Sequence, residues 1–434
     1  MENRFTQMIG KVYFMCVAVL MYYFLNEVIT LGVFITFRHA FALVLAASAI
    51  VVFLLSPNIA RGVVSVKGVF LYSSPLIVTL LVSLFIWFMN QVDIDVISRG
   101  LSGMFFYSNM ISFTLAAVAF LYIFGEKGIW YNLAAILISN MLMIFTIIMQ
   151  YGLGNFIFEF ITLVVTFAAK TGDIIVQAEI HELAFCIGAY LIYMILKPQK
   201  GIPFLILFAI ASFCFLAAFK RIGIIAIVIA LFFGLFLKFV AKYKKDTAKS
   251  LVVFFSVALV AILIGYIAII KLDVFSMLEE IGIDTSGRVV IYHAVDKFYE
   301  FSPEFLGNGI GFLTYQLSMN LRVGVSSVHN DFLQYFIDLG FWGYILWLIS
   351  MTVVRVCYFG AKGNIENAII TFALSVYLVI ISSTDNTANY PLLTTVLAII
   401  MIGNGYDKKV QDTEIKMFGY VSPVNKVKEK ELKS

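Results

Sequence analysis

Apolar runs long enough to cross a bilayer recur along most of the chain, separated by short polar breaks. A hydrocarbon core of roughly 30 Å takes about 20 residues of helix at 1.5 Å per residue. Lipid offers the backbone no hydrogen-bond partner, so each run is expected to be a helix. The pattern predicts about twelve transmembrane helices, near 12–34, 40–56, 69–89, 104–124, 129–151, 180–196, 202–219, 222–240, 251–270, 341–358, 367–383 and 391–405. The first does not read as a cleaved signal, because its apolar stretch is long and Glu27 sits near its outer end. The stretch Phe204–Leu237 would be roughly 50 Å long as one helix, so Lys220-Arg221 is expected to mark a reversal. The short run 156–169 reads as interfacial or re-entrant.

Two longer segments break the pattern, 152–180 and the larger 271–340. In the larger one, Asp284-Thr285-Ser286 offers N-cap chemistry to a helix in which Val289, Tyr292, Val295, Phe298 and Tyr299 recur at helical spacing, ending by Pro303. Next comes "LGNGIGF", with Gly307, Gly309 and Gly311. No strand precedes it and its spacing is not that of a dinucleotide fingerprint. Two readings stand: a loop held close to another backbone, or a backbone-amide cradle for an anion. Ser326 or Ser327 is then expected to cap a short helix, placing His329 in its first turn. There the helix dipole favours a neutral imidazole able to accept a proton. The alternative is a histidine bonded to Asp331 or to a backbone carbonyl.

Composition fits a membrane class. The chain has 434 residues, 62% hydrophobic and 13% charged, with a mean hydropathy of +0.98. This excludes an ordinary water-soluble domain. Lysine and arginine set the orientation. With the N-terminus in the cytoplasm, most of the 30 basic residues fall inside, from Arg4 and Lys11 to the lysines between Lys408 and Lys433, and most carboxylates fall outside. Both termini are then cytoplasmic, segment 271–340 is an extracytoplasmic cap, and 407–434 is a basic tail beside anionic lipid with no call for nucleic acid. Residues 1–406 read as one integral membrane domain. The four cysteines lie within apolar spans, without metal-ligand spacing.

A few cations remain on the outer side. Lys220-Arg221 sits in a tight outer turn, either snorkelling into headgroups or forming an anion site. Arg288 and Arg322 lie in the cap; with Lys220-Arg221 they would suit a phosphate, whose oxygens an arginine binds bidentately. His181-Glu182 opens the sixth span, but Phe185 stands where a zinc-protease motif needs its second histidine, so no metal site is expected. Glu182 reads as a helix-start carboxylate or a group for sugar hydroxyls. Asp93, Asp95 and Arg99 read as loop charges, and Asp385 in "STDNTANY" carries no assignment.

The order of these features, "SGR" (Ser286–Arg288), "LGNGIG" (Leu306–Gly311) and "HNDFLQYFIDLGFWG" (His329–Gly343) in one large outer loop of a many-helix protein, resembles the O-antigen polymerase and O-antigen ligase superfamily of bacterial cell envelopes. The resemblance covers about 202–343; the first half agrees only in hydropathy. It implies an all-α, polytopic membrane glycosyltransferase of GT-C-like architecture in the bacterial inner membrane. It also implies a donor glycan on undecaprenyl diphosphate, and no metal or nucleotide cofactor. On this chain it implies Arg221 and Arg288 as the diphosphate-binding arginines and His329 as the residue that activates the acceptor. Lys220 departs from the pattern, in which a serine often precedes the hairpin arginine.

The expected function is therefore a polysaccharide polymerase that moves a growing glycan from its lipid diphosphate onto an incoming lipid-linked repeat unit. Lys220 and Arg322 would assist in binding, Asn330 or Asp331 would position His329, and His181 and Glu182 would contact sugar. A chain-length regulator is a further partner on this reading. The alternatives are a ligase that transfers glycan to lipid A core, or a flippase for lipid-linked sugars. Against transport stands the gathering of polar groups in one outer cap rather than in broken helices at the midplane.

Overall fold

The computed structural model of the chain describes residues 2–24, 37–90, 92, 94–166, 181–218, 220–282, 287–317, 328–361 and 364–418, and among these there are helices and turns but no strand. In chain order the helices are α1 (Glu2–Tyr23), α2 (Phe37–Leu55), α3 (Ile59–Tyr72), α4 (Ser74–Asn90), α5 (Ile94–Phe124), α6 (Gly128–Tyr151), α7 (Leu153–Thr166), α8 (His181–Leu196), α9 (Ile202–Ala218) and α10 (Arg221–Tyr243). There follow α11 (Lys245–Lys271), α12 (Val274–Glu280), α13 (Arg288–Val295), α14 (Phe312–Tyr315), α15 (Asp331–Ile349), α16 (Arg355–Ala361), α17 (Ile365–Ser382), α18 (Pro391–Gly403) and α19 (Tyr406–Phe418).

Six helical stretches among the described residues are long and apolar enough to cross a membrane: Phe37–Leu55, Met110–Tyr151, Arg221–Tyr243, Lys245–Lys271, Asp331–Phe359 and Ile365–Ser382. The pair α3 and α4 makes a seventh if it is one span. The chain is thus an all-helical, polytopic membrane protein. Many of its large apolar side chains are exposed, among them Leu55, Phe88, Val165, Phe232, Phe254 and Ile262, as lipid-facing positions require. Against the twelve expected spans, several apolar helices are shorter, such as Glu182–Leu196 and Pro391–Gly403. The expected span 12–34 runs into residues outside the description, and the one at 69–89 is divided between α3 and α4.

The chain folds as two compact units. The first comprises Met1–Tyr72, Ile111–Arg221 and Leu392–Ser434. Here Met110–Tyr151 is not one rod. Gly125 has a left-handed φ of 65°, and a Cβ on Gly128 would lie 2.6 Å from Phe120 O. Eight residues of straight helix would hold those two positions about 12 Å apart. The chain therefore turns back at Gly125–Lys127, where the sequence puts a polar break between two spans. Buried polar bonds pin this unit: Asn132 Nδ2 donates to Tyr22 Oη at 2.8 Å, and Tyr190 Oη donates to Asn132 Oδ1 at 2.8 Å. At Lys220-Arg221 the apolar stretch does break, α9 ending at Ala218 and α10 starting at Arg221. The segment 407–434, expected as a basic tail, begins within helix α19, whose Tyr406, Val410 and Glu414 are buried.

The second unit comprises Ser73–Met110 and Ile222–Pro391. Its core joins α11, α13 and α15 through Leu263, Ile267, Tyr292, Val295, Phe332, Phe336 and Tyr344. The expected loop helix is present as α13, with Val289, Tyr292 and Val295 buried and a single 3-10 turn at Asp296–Phe298, so it stops short of Pro303. Its expected N-cap, Asp284–Ser286, lies outside the described residues. Helix α15 bends at Gly340 (φ 70°), so the expected short helix ends where the expected span at 341 begins.

The "LGNGIG" loop is held at this bend. Asn308 N and Gly309 N donate to Asp338 O at 3.1 and 2.7 Å. Gly311 N and Leu313 N donate to the carboxylate of Asp338 at 3.3 and 3.1 Å. With these amides bound to Asp338, the close-packed loop is the reading that holds, not the anion cradle.

Candidate active site

Helix α15 starts at Asp331, not near Ser326, and its N-cap is Asn330. Asn330 Oδ1 accepts from Leu333 N at 3.2 Å, as a capping side chain should. His329 therefore precedes the cap and does not sit in the first turn, which corrects the expected dipole argument; Ser326 and Ser327 lie outside the described residues. Its φ is 52°, a left-handed value that few residues other than glycine adopt. Such geometry persists where the surroundings over-determine it, and it clusters at functional sites. The His329 side chain is exposed, while Val328 and Asn330 on either side are buried.

What fixes this corner is the loop between α17 and α18. Asp331 is buried, and its Oδ2 accepts from Thr387 Oγ1 at 2.6 Å and from Ala388 N at 2.9 Å. Asn386 Nδ2 lies 3.3 Å from His329 Nδ1. From α13, Arg288 Nη2 donates to Thr384 O at 2.9 Å. Arg288 and His329, 41 positions apart in the chain, are thus tied to one short loop at residues two apart. Beneath them Asn330 Nδ2 donates to Tyr266 Oη at 3.0 Å and to Tyr292 Oη at 2.9 Å. Burial raises the Tyr292 phenol above its ordinary value, which keeps it protonated at neutral pH. Tyr266 Oη donates in turn to Ser383 O at 3.3 Å, closing the ring back on the loop.

Within the second unit this arrangement combines a half-buried guanidinium, an exposed imidazole and a buried carboxylate that holds the loop. Asn330 and Asp331, expected to position His329 directly, instead cap α15 and anchor the 384–390 loop. The loop itself was missed in the sequence reading. Its signal was the dense polar string "SSTDNTAN" between two apolar helices, the kind of break at which a site is built.

The other candidates fall elsewhere. Lys220 and Arg221 belong to the first unit, Lys220 half-buried and Arg221 exposed at the first position of α10. Arg322 lies outside the described residues. Glu182 is buried, within 3.5 Å of Arg38 Nη1, and its Oε1 accepts from Leu392 N at 2.5 Å at the start of α18. These contacts give Glu182 a packing and capping role. His181 opens α8 beside it. Among the described residues no group of three or more His, Cys, Asp or Glu side chains is placed to hold a metal ion.

The match to a known family begins in the first unit and lies mostly in the second. Residues 206–348 match the O-antigen ligase family model. The resemblance expected from the loop motifs is therefore shown, over a region that includes Arg221, Arg288 and His329. No curated protein matches the chain. The O-antigen ligase match ends at residue 348, before the 384–390 loop to which its histidine and arginine are bonded.

Proposed function

We propose that this protein is a polysaccharide polymerase, acting on O-antigen, capsule or exopolysaccharide at the outer face of the bacterial cytoplasmic membrane. It would transfer a growing glycan from undecaprenyl diphosphate to the terminal sugar of an incoming lipid-linked repeat unit. The observation that carries this reading is the convergence of Arg288 and His329 on Thr384 and Asn386. A transfer of this kind needs one group for the leaving diphosphate and one for the attacking hydroxyl.

In the reaction, the acceptor oxygen forms a bond to the anomeric carbon as the bond from that carbon to the diphosphate oxygen breaks. The centre passes through an oxocarbenium-like state. Negative charge grows on the departing diphosphate, where the guanidinium of Arg288 would stabilise it; on this reading Arg221, Lys220 and Arg322 are further groups for the diphosphate. The hydroxyl proton passes to the imidazole of His329. No metal or nucleotide is called for. Twelve crossings, cytoplasmic termini and the 271–340 segment as an outer cap belong to the same reading, as does a chain-length regulator as partner.

The second reading is the ligase, which the family match supports equally. It uses the same groups with lipid A core as acceptor. Deleting the gene separates the two: loss of a polymerase leaves single repeats on the surface, whereas loss of a ligase leaves full-length polymer on the carrier. Purified protein that lengthens lipid-linked repeats in vitro would establish the polymerase. If it forms no polymer and the deletion strain keeps full-length chains on the carrier, the ligase reading takes its place.

A further inference from the structure

The amide of Asn386 faces the ring of His329 from a buried position. Asn386 is 9% exposed. Its backbone is fixed by Asp385, whose Oδ1 accepts from Asn386 N at 2.8 Å and from Tyr390 Oη at 2.9 Å. Its Nδ2 lies 3.3 Å from His329 Nδ1, and its Oδ1 is buried with no hydrogen-bond partner among the described residues. A buried amide oxygen without a partner costs about 1–3 kcal/mol, so such an atom calls for an explanation.

With Nδ2 toward the ring, Nδ1 accepts and the imidazole proton sits on Nε2. That tautomer cannot take a proton at Nε2. A half-turn of the amide about Cβ–Cγ exchanges the two ends. Oδ1 then meets Nδ1–H, and the lone pair moves to Nε2. The second state pairs the amide oxygen with the ring, moves Nδ2 to the place Oδ1 leaves, and turns the far edge of the exposed ring into the proton acceptor. A neighbour that sets which nitrogen carries the proton also fixes the ring plane.

We propose that Asn386 is the positioning residue of His329: it accepts the Nδ1 proton on Oδ1, selects the tautomer with its lone pair on Nε2, and steadies the imidazolium once that nitrogen has taken the acceptor's proton. This rests on the reading of His329 as the base. It adds to the site a residue beyond the family match, which stops at 348.

The test uses full-length protein in proteoliposomes and undecaprenyl-diphosphate-linked repeats extracted from a strain lacking this gene. Asn386→Ala lowers kcat by about 100-fold, with KM changed less than about twofold, because ring orientation and not binding is lost. Asn386→Asp keeps an acceptor oxygen in place and restores most of the rate. Its added negative charge favours the imidazolium, so the acid limb of the kcat/KM profile moves up by about one pH unit. Among the described residues of the second unit, Arg288, Asp331, Asp385, Tyr266, Tyr292 and Tyr390 are titratable groups around this loop, and they are common to both proteins, so the shift isolates position 386. Should Asn386→Ala fail to fold in a thermal melt, the Asn386→Asp profile decides alone. A wild-type rate in Asn386→Ala, or an unshifted limb in Asn386→Asp, overturns the proposal. If His329→Ala is inactive in the same assay while Asn386→Ala is normal, only the role of Asn386 falls; if His329→Ala is active, the base itself is misassigned.

Discussion

Gly307 and Gly340 meet backbone against backbone. A Cβ on Gly307 would overlap Gly340 N and Leu339 C, and one on Gly340 would overlap the Leu306 carbonyl and Gly307 N. Both residues have positive φ, 89° and 70°. The bend of α15 and the Gly-rich loop are therefore two halves of one joint, closed by Phe341 N donating to Phe305 O at 2.9 Å. Alanine at either position has neither the space nor the backbone angle, and should destabilise the protein by about 3 kcal/mol or more. Gly154, with nothing within 4 Å of a built Cβ, is the control. Thermal unfolding in detergent checks this: Gly307→Ala and Gly340→Ala should melt well below wild type, and Gly154→Ala close to it.

Asp331 is a second joint, between the start of α15 and the 384–390 loop. Asp331→Ala removes the acceptor of Thr387 Oγ1 and Ala388 N, leaving a buried hydroxyl and a half-buried amide without it. Hydrogen bonds to a charged group are worth about 1.5–3 kcal/mol each. Asp331→Asn keeps an oxygen at the same place. Polymer yield in a complemented deletion strain should fall to background for Asp331→Ala and be partly retained for Asp331→Asn, with protein amounts followed by immunoblot. Equal loss in both would mean that the charge, and not the anchoring, is what the site requires.

Much of this was legible in the chain. The many-crossing helical character, the break at Lys220-Arg221 and α13 follow from hydrophobic periodicity and from the length of a bilayer crossing, which are local properties. Motif order singled out Arg288 and His329, but not the loop to which both are bonded. The cap of α15 was misplaced by a few residues, since Ser326, Ser327 and Asn330 are all good N-caps and only tertiary contacts choose among them. Asn386 was not legible because its role depends on a pairing across 57 positions. The partners of Glu182, Arg38 and Leu392, were not legible for the same reason: they are distant in sequence.

A pH dependence is expected from Lys409 on α19, outside the crossing helices. Its Nζ donates to Ile402 O at 3.2 Å and to Asn404 O at 3.0 Å. Burial pushes its pKa down to about 8, with Glu126 acting upward and Lys197 acting further downward. The unfolded value is about 10.4. Below pH 8 both states hold the proton and the penalty for a buried charge is constant. Between about 8 and 10 the unfolded chain holds more protons than the folded one, so stability rises with pH. The melting temperature should climb across that window, and the climb should flatten in Lys409→Met. A wild-type curve flat from pH 8 to 10 would count against a depressed lysine.

The arginines give the sharpest test of the proposed chemistry. Arg288 Nη2 donates to Thr384 O, which holds the fork in a set direction for a phosphate. Removing one such donor costs about 3–4 kcal/mol in the transition state, roughly 10²–10³ in rate. Arg288→Lys should rescue little, because an ammonium cannot hold Thr384 O and grip phosphate oxygens as a planar fork at once. If Arg221 acts on the same diphosphate, Arg221→Ala should show a similar loss, and the double variant should lose less than the two single losses combined. Single-turnover rates on lipid-linked repeats give the four corners of that cycle. Strict additivity would mean that the two arginines serve separate groups, and Arg221 would then leave the proposed site while Arg288 and His329 stay in it.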